Sequence, residues 1–383
     1  MLYSNEVKNS DDHISRRSLL QNAAAGSVFS IMSAKTALGY QANSALTVGL
    51  IGCGGRGMYV SGIFAKNEFA RVSAYCDIYQ DKLDAAGKKY AGAKSYTKFH
   101  DLLASDVDAV LIATPAFLHP EHFEAAVKAR KHIFLEKPAG VDAAGCRRVL
   151  AAAKKADPTK RISMDFQQRY GTEYRKAFDV VKSGELGAIK QIRAAWMGGG
   201  PAIKTGHPES EEKIRNWFFY RELSGDILIE QDCHNIDVVN WFMGKHPVRV
   251  AGYGSQVQRK KGNIYDNLSC TFQFDDGTIF SYAANQFGNP GWTDISETFV
   301  CEKGVVNTSR KGYKIYRPGK PTEEAATNYD ITQDTVNQFI EGARTGKIEN
   351  AALWGAESSM TAVMALQACT TGKEATWDKV FNS

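Results

Sequence analysis

Leu46-Thr-Val-Gly-Leu-Ile51 followed by Gly52-Cys-Gly54-Gly55-Arg56-Gly57 decides the fold of this 383-residue chain. An unbroken apolar run reads as a strand buried on both faces of a parallel sheet. The glycines then fall where a dinucleotide-binding turn needs them. Gly52 allows the tight turn, Gly54 lets the backbone approach a pyrophosphate, and Gly57 lets the following helix pack close to the strand. The phosphates would rest on the free N–H groups of that helix's first turn.

Working outward, Arg71-Val-Ser-Ala-Tyr-Cys-Asp77 reads as a second strand ending in an acid twenty residues beyond Gly57. A carboxylate there binds the ribose hydroxyls and favours NAD over NADP; its other reading is a cap for the next helix. Asp108–Thr114 reads as a third strand whose end, Thr114-Pro115, lies at the carboxyl edge where ligands bind. Glu136-Lys137-Pro138 closes another buried strand and brings a lysine to the same edge, within reach of a substrate hydroxyl. Helices are expected over 56–66, 79–91, 119–130 and 142–156, and a last strand over 162–166. This alternation predicts a doubly wound parallel sheet over 46–166.

Beyond 166 the pattern changes. Thr172 starts an amphipathic helix ending near Ser183-Gly184. Strands with period-two alternation follow over 189–196, 248–253, 267–274, 278–283, 296–301, 304–308 and 314–316, with Asp275-Asp276-Gly277 as a hairpin signal. They predict an antiparallel sheet with one wet face, and helices over 331–344 and 355–370 close the chain.

Glu230 and His234 are four apart, so on one helix they share a face. A histidine oriented by a carboxylate makes a proton shuttle near neutral pH; the other reading is a core or capping histidine. Glu230, His234 and His119 do not cluster as metal ligands do, and no metal is expected.

The bulk numbers set bounds. Apolar content of 43% and charged content of 23% are those of a globular protein, long enough for about two domains. A net charge of +5, with no basic cluster threaded by aromatics, gives no footprint for nucleic acid. Seven cysteines without a C-x-x-C pair read as buried thiols. Ser15-Arg16-Arg17 before a short small-residue apolar stretch resembles a twin-arginine export signal over 1–39, with a linker at 40–45 and a periplasmic destination. Such export delivers folded protein, so the cofactor would be loaded in the cytoplasm and held tightly.

These marks together resemble the glucose–fructose oxidoreductase/inositol dehydrogenase family (Gfo/Idh/MocA). They are the glycine turn at 52–57, Asp77, Thr114-Pro115 with Leu118-His119, Glu136-Lys137-Pro138, Phe166-Gln-Gln-Arg169, Ser183-Gly-Glu-Leu-Gly187 and Glu230-x-x-x-His234. The resemblance covers about 46–370. It implies a Rossmann domain over 46–166 and, over 167–383, an α/β substrate domain with a large, mostly antiparallel open sheet that often makes homo-oligomer contacts. It also implies Lys137 at the nicotinamide, with Glu230 and His234 completing the catalytic group. The NAD site so expected comprises Gly52, Gly54, Gly55, Arg56, Gly57, Met58, Asp77, Thr114, Pro115, His119, Glu136 and Lys137. Arg169, Trp217 and Tyr220 are expected at the substrate; the aromatics of 217–220 have core packing as their other reading. One departure is Glu230, where the family commonly has Asp; the longer side chain suits orientation as well as catalysis. The expected activity is NAD-dependent oxidoreduction of a sugar, polyol or glycoside. The alternative is a glycosidase or lyase that oxidises C3 transiently with no net redox change.

Overall fold

The computed structural model describes residues 45–288 and 291–383; the arginine pair and the proposed signal lie outside the described residues. Strand β1 (Leu46–Ile51) leads through the glycine turn into α1 (Gly55–Lys66). Then follow β2 (Ala70–Cys76), α2 (Gln80–Lys89), β3 (Lys94–Tyr96), α3 (Phe99–Leu103), β4 (Ala109–Ile112), α4 (His119–Lys128), β5 (His132–Leu135), α5 (Ala143–Lys154) and β6 (Ile162–Met164). These six strands form one all-parallel sheet in the order β3-β2-β1-β4-β5-β6. Strand order reverses between β1 and β4, and the crevice outside that reversal is where open α/β sheets bind ligands. β4 and β5 are buried along their whole lengths, as strands covered by helices on both faces must be.

Helix α6 (Thr172–Lys182) leads to β7 (Ile189–Met197). A long excursion then carries short helices α7 (Glu212–Arg215), α8 (Arg221–Ser224) and α9 (Asp226–Glu230) before α10 (Cys233–Met243). Strands β8 (Arg249–Ser255), β9 (Asn267–Gln273), β10 (Ile279–Asn285), β11 (Asp294–Cys301), β12 (Gly304–Ser309), β13 (Gly312–Tyr316) and β14 (Glu323–Ala326) complete, with β7, most of a second sheet. After α11 (Thr332–Thr345) and α12 (Ala352–Thr371), β15 (Ala375–Thr376) adds its other edge, and α13 (Trp377–Phe381) ends the chain. The order is β14-β13-β12-β11-β7-β10-β9-β8-β15, antiparallel except for β7 against β10. Burial alternates along β9 and β10, so one face packs on α10 and α12 and the other is open.

The chain does not leave the first sheet for good at 166. Val336, Phe339 and Ile340 of α11 are buried in one cluster with Val48, Phe64 and Phe134. Phe339 meets Phe64 and Phe134 edge to face at 5.7 and 5.6 Å. Ile162 of β6 also pairs with Asn350 just ahead of α12. All seven cysteines are buried thiols, and the closest sulfurs, Cys270 and Cys369, are 3.5 Å apart.

Candidate active site

The glycine turn has the shape its spacing predicts. Gly52 has φ of +95°, and a Cβ there would lie 2.7 Å from the Ala113 carbonyl. A Cβ on Gly57 would fall 2.0 Å from the Gly52 carbonyl, so helix and strand can approach only without side chains. At Gly54 and Gly55 an added Cβ would meet nothing, so that side of the turn is open. Helix α1 has no side-chain cap and no acid in its first turn, which leaves its N–H groups for an anion. A pyrophosphate fits this cradle.

Asp77, at the end of β2, accepts from the Cys53 amide at 2.8 Å and from the Tyr79 amide at 3.0 Å. It does not cap α2, whose N-cap is Tyr79; it clamps the glycine turn to the end of β2. Burial pushes its carboxyl above the usual range, against the pull of those amides. Met58 lies in the first turns of α1, where its carbonyl accepts from Lys89 Nζ at 2.6 Å.

Arg56 crosses the ends of the strands. It donates to Glu136 Oε1 at 2.7 Å and forms a second, closer ion pair with Asp165 beyond β6. Asp165 is wholly buried, and its Oδ1 has no hydrogen-bond partner. Burial and the neighbouring Glu136 charge raise its carboxyl to about 7, more than Arg56 lowers it. Asp165 was not among the sequence candidates. An acid directly after an apolar strand was the available signal.

Lys137, one residue on, turns the other way. Its Nζ donates to Glu230 Oε1 at 3.0 Å and to the Glu230 carbonyl. Burial pulls the lysine's pKa down, but the Glu230 charge outweighs it and holds the lysine above its ordinary pKa.

His234 corrects an expectation. Glu230 ends α9 and His234 is the second residue of α10, so no continuous helix puts them on one face. The carboxylate binds Lys137 and does not orient the imidazole. His234 instead sits between rings, edge-on to Phe166 and stacked on Trp196, each at 5.9 Å. Its Nδ1 is buried without a partner. Burial first, then the Lys137, Arg310 and Arg56 charges, hold it well below its ordinary pKa, so it is neutral.

Three other expected residues serve the scaffold. His119 touches the Pro138 carbonyl at 2.6 Å and the Thr114 carbonyl at 3.0 Å, and burial lowers it to about 4. Neutral, it can donate to one of these at a time. It fastens Thr114-Pro115 to the cis Lys137-Pro138 peptide and is not a free cofactor contact. Thr114 Oγ1 in turn meets His122 Nδ1 at 3.0 Å. The Arg169 fork is taken by Asp237, at 2.8 Å to each oxygen, with Trp354 stacked 3.9 Å from the guanidinium. It anchors α10. Trp217 and Tyr220 are half-buried in the excursion, Tyr220 under the Lys213 ammonium at 5.4 Å.

The excursion adds groups that sequence reading missed. Arg215 stacks on Tyr79 at 4.0 Å and grips Asp81 at 2.7 and 2.9 Å, just past the Asp77 carboxylate. Asn216 donates to the Lys204 carbonyl at 2.9 Å. Lys204 is close enough to feel Asp77, Lys82 and Arg215, and burial lowers its pKa. No local motif marks these; only the fold brings residue 215 beside residue 79.

Two family models match this chain. Residues 46–164 match "Oxidoreductase family, NAD-binding Rossmann fold", and 174–307 match "GFO/IDH/MocA C-terminal domain". Among similar proteins, inositol 2-dehydrogenase of Corynebacterium glutamicum (strain R) is 25% identical over 285 residues, 73% of this chain and 78% of the relative. Inositol 2-dehydrogenase of Salmonella typhimurium is 28% identical over 275 residues, 70% and 74%. Among solved structures, myo-inositol 2-dehydrogenase of Lactobacillus plantarum superposes with a TM-score of 0.71 at 21% identity, covering 87% of this chain and 99% of that one. Levoglucosan dehydrogenase in complex with NADH and levoglucosan gives 0.75 at 17%, with the same coverage.

Proposed function

This chain belongs to the Gfo/Idh/MocA family, and on that premise we propose that it is an NAD-dependent dehydrogenase of a sugar, polyol or glycoside hydroxyl, with Lys137 and His234 as its proton-handling pair. One observation carries the reading. At the ligand edge of a dinucleotide-type sheet, a lysine held charged by Glu230 lies near a histidine held neutral by its surroundings. Those are the two protonation states that oxidation of an alcohol requires. The relatives' names, inositol 2-dehydrogenases, support a polyhydroxylated substrate. So do the buried polar atoms without partners in the segments flanking the pair, on Gln167, Gln168 and Gln231.

NAD, when bound, accepts the hydride. The rest falls to the chain. Lys137 Nζ donates to the substrate oxygen and stabilises the negative charge that grows on it as the proton leaves. The neutral imidazole of His234 takes that proton. Glu230 keeps Lys137 charged and aimed. Phe166 and Trp196 wall the imidazole from bulk water, which strengthens each of these interactions.

The test is incubation of purified protein with inositols, hexoses and methyl glycosides, followed for NADH absorbance and for released free sugar. NADH formation that Lys137→Ala or His234→Ala lowers at least a hundredfold is the expected result. Free sugar without NADH would establish the redox-neutral route, and a near wild-type rate in either variant would remove that residue from the mechanism.

Two further proposals accompany this one. Export through the twin-arginine route rests on Arg16-Arg17, and replacing both with lysine should strand an uncleaved precursor in the cytoplasm. Self-association through the open sheet face is supported by Tyr253, 79% exposed on β8; light scattering showing a monomer would dismiss it.

A further inference from the structure

Arg310 stands in the tight turn between β12 and β13, and its guanidinium has no acid. Among the described residues it makes no hydrogen bond or ion pair, and its Nε is buried without an acceptor. It lies against Trp196, whose ring centroid is 5.2 Å from the guanidinium carbon. Trp196 is the ring that stacks on His234. The acid that feels the Arg310 charge is Glu297, but its oxygens are already occupied. Asn235 donates to one at 2.6 Å, and Thr308 and Tyr174 donate to the other at 2.7 and 3.3 Å. Burial also raises Glu297 to about 8, so at neutral pH it offers little negative charge.

A second guanidinium, that of Arg259, repeats the pattern. Arg259 donates through one amino group to Gln286, which donates at 2.6 Å to Gln231, the neighbour of Glu230. Its Nε too is buried and unpartnered. Arg310 reaches the ring beside His234, Arg259 reaches the neighbour of Glu230 through Gln286, and of these two and Lys137 only Lys137 has a carboxylate bound to it. Both arginines are half-buried with a buried, unpartnered Nε, and a cation left without a bound acid is complementary to an anion. A guanidinium presents a planar fork that fits a carboxylate.

We propose that the substrate is an acidic sugar, its carboxylate held by Arg310 while the hydroxyl to be oxidised lies at Lys137 and His234. This rests on the dehydrogenase reading above and narrows it to the uronic- or aldonic-acid class. Trp196 lies between the two ends, against His234 on one hand and the Arg310 guanidinium on the other.

The test compares kcat/KM for D-glucuronate and D-galacturonate with that for D-glucose and D-galactose, adding D-glucose 6-phosphate to separate carboxylate from phosphate. Wild-type protein should favour a uronate over its neutral counterpart by about one to two orders of magnitude. In Arg310→Ala that preference should collapse through KM, with kcat changed far less; Arg310→Lys, which keeps charge and bulk, should retain part of it. Titration calorimetry of the NADH-loaded protein with D-glucuronate measures the anion site apart from turnover. Equal use of neutral and acidic sugars overturns the proposal while leaving the dehydrogenase intact. Preference for the phosphate ester overturns the carboxylate assignment. An Arg310→Ala loss shared equally by acidic and neutral sugars reduces Arg310 to packing. Uronate binding without oxidation of any sugar would uphold the anion site and refute the dehydrogenase.

Discussion

Glu230→Gln isolates what the carboxylate does for Lys137. The pair is 3.0 Å apart, with side chains only 12% and 18% exposed. At that distance Coulomb attraction amounts to about 5 kcal/mol for an effective dielectric near 20. Glutamine keeps an acceptor and the size of the group, so part of the contact survives. About half of the attraction lost would still lower the lysine by roughly two pH units, and the full amount by about four. The burial that Glu230 now outweighs would then dominate, and Lys137 would lose its proton at a lower pH than in wild-type protein. The assay is the pH profile of kcat/KM, with bound NAD checked in each preparation. Wild-type protein should hold its rate to high pH, and Glu230→Gln should show an alkaline limb moved down by those two to four units. Activity near pH 7 should suffer less than activity at pH 9. Glu230→Asp keeps the charge on a shorter arm, so its alkaline limb should stay near the wild-type position even if the rate drops. An unmoved alkaline limb in Glu230→Gln would refute the claim that this carboxylate sets the charge of Lys137.

Other expectations follow from the same contacts. Phe339→Ala removes a fully buried ring from between Phe64 and Phe134, and chemical denaturation should show a loss of about 3–5 kcal/mol although the residue lies far along the chain from that sheet. Asp165 is held above its ordinary range, so folding takes up a proton and its contribution to stability falls as pH rises from about 4 to 7; Asp165→Asn should flatten that part of the stability–pH curve, read by thermal unfolding across buffers. Arg215→Ala frees Tyr79 and Asp81 beside the Asp77 end of the site, and release of NADH, followed by its fluorescence after dilution, should quicken by about tenfold. Arg310→Ala removes a cation that lowers the His234 pKa, so the acid limb of the pH–rate profile should move upward.

The first sheet was legible because its signals are local. A glycine turn must follow β1, and buried parallel strands carry continuous apolar runs, so 46–57 and 109–112 could be read without the rest of the fold. Lys137 and Glu230 were legible as separate marks, but their bond was not, since ninety-three residues separate them. The sequence pattern instead suggested a Glu230–His234 pair. That inference assumed an unbroken helix, whereas the chain breaks at Gln231-Asp232, where Asp232 is buried and its carboxyl has no hydrogen-bond partner. The partner of Arg169 was hidden for a related reason: a motif gives the residue but not the acid across from it, here Asp237. The return of α11 to the first sheet was invisible because its amphipathic pattern states that one face is buried, not against what.

The end of β5 is where the two halves of the site are set against each other. Glu136 and Lys137 are consecutive, and their side chains diverge: one takes Arg56 of the glycine turn, the other takes Glu230 of the second half. Consecutive side chains of an extended chain point to opposite sides, so one short stretch of backbone serves both bonds. Any displacement of the glycine turn toward or away from β5 would pull on Glu136, and through the shared peptide on the aim of Lys137. His119, bonded to Pro138, holds the next residue of the same stretch. In the function proposed above, this stretch would hold a dinucleotide seated on α1 at one distance from the lysine.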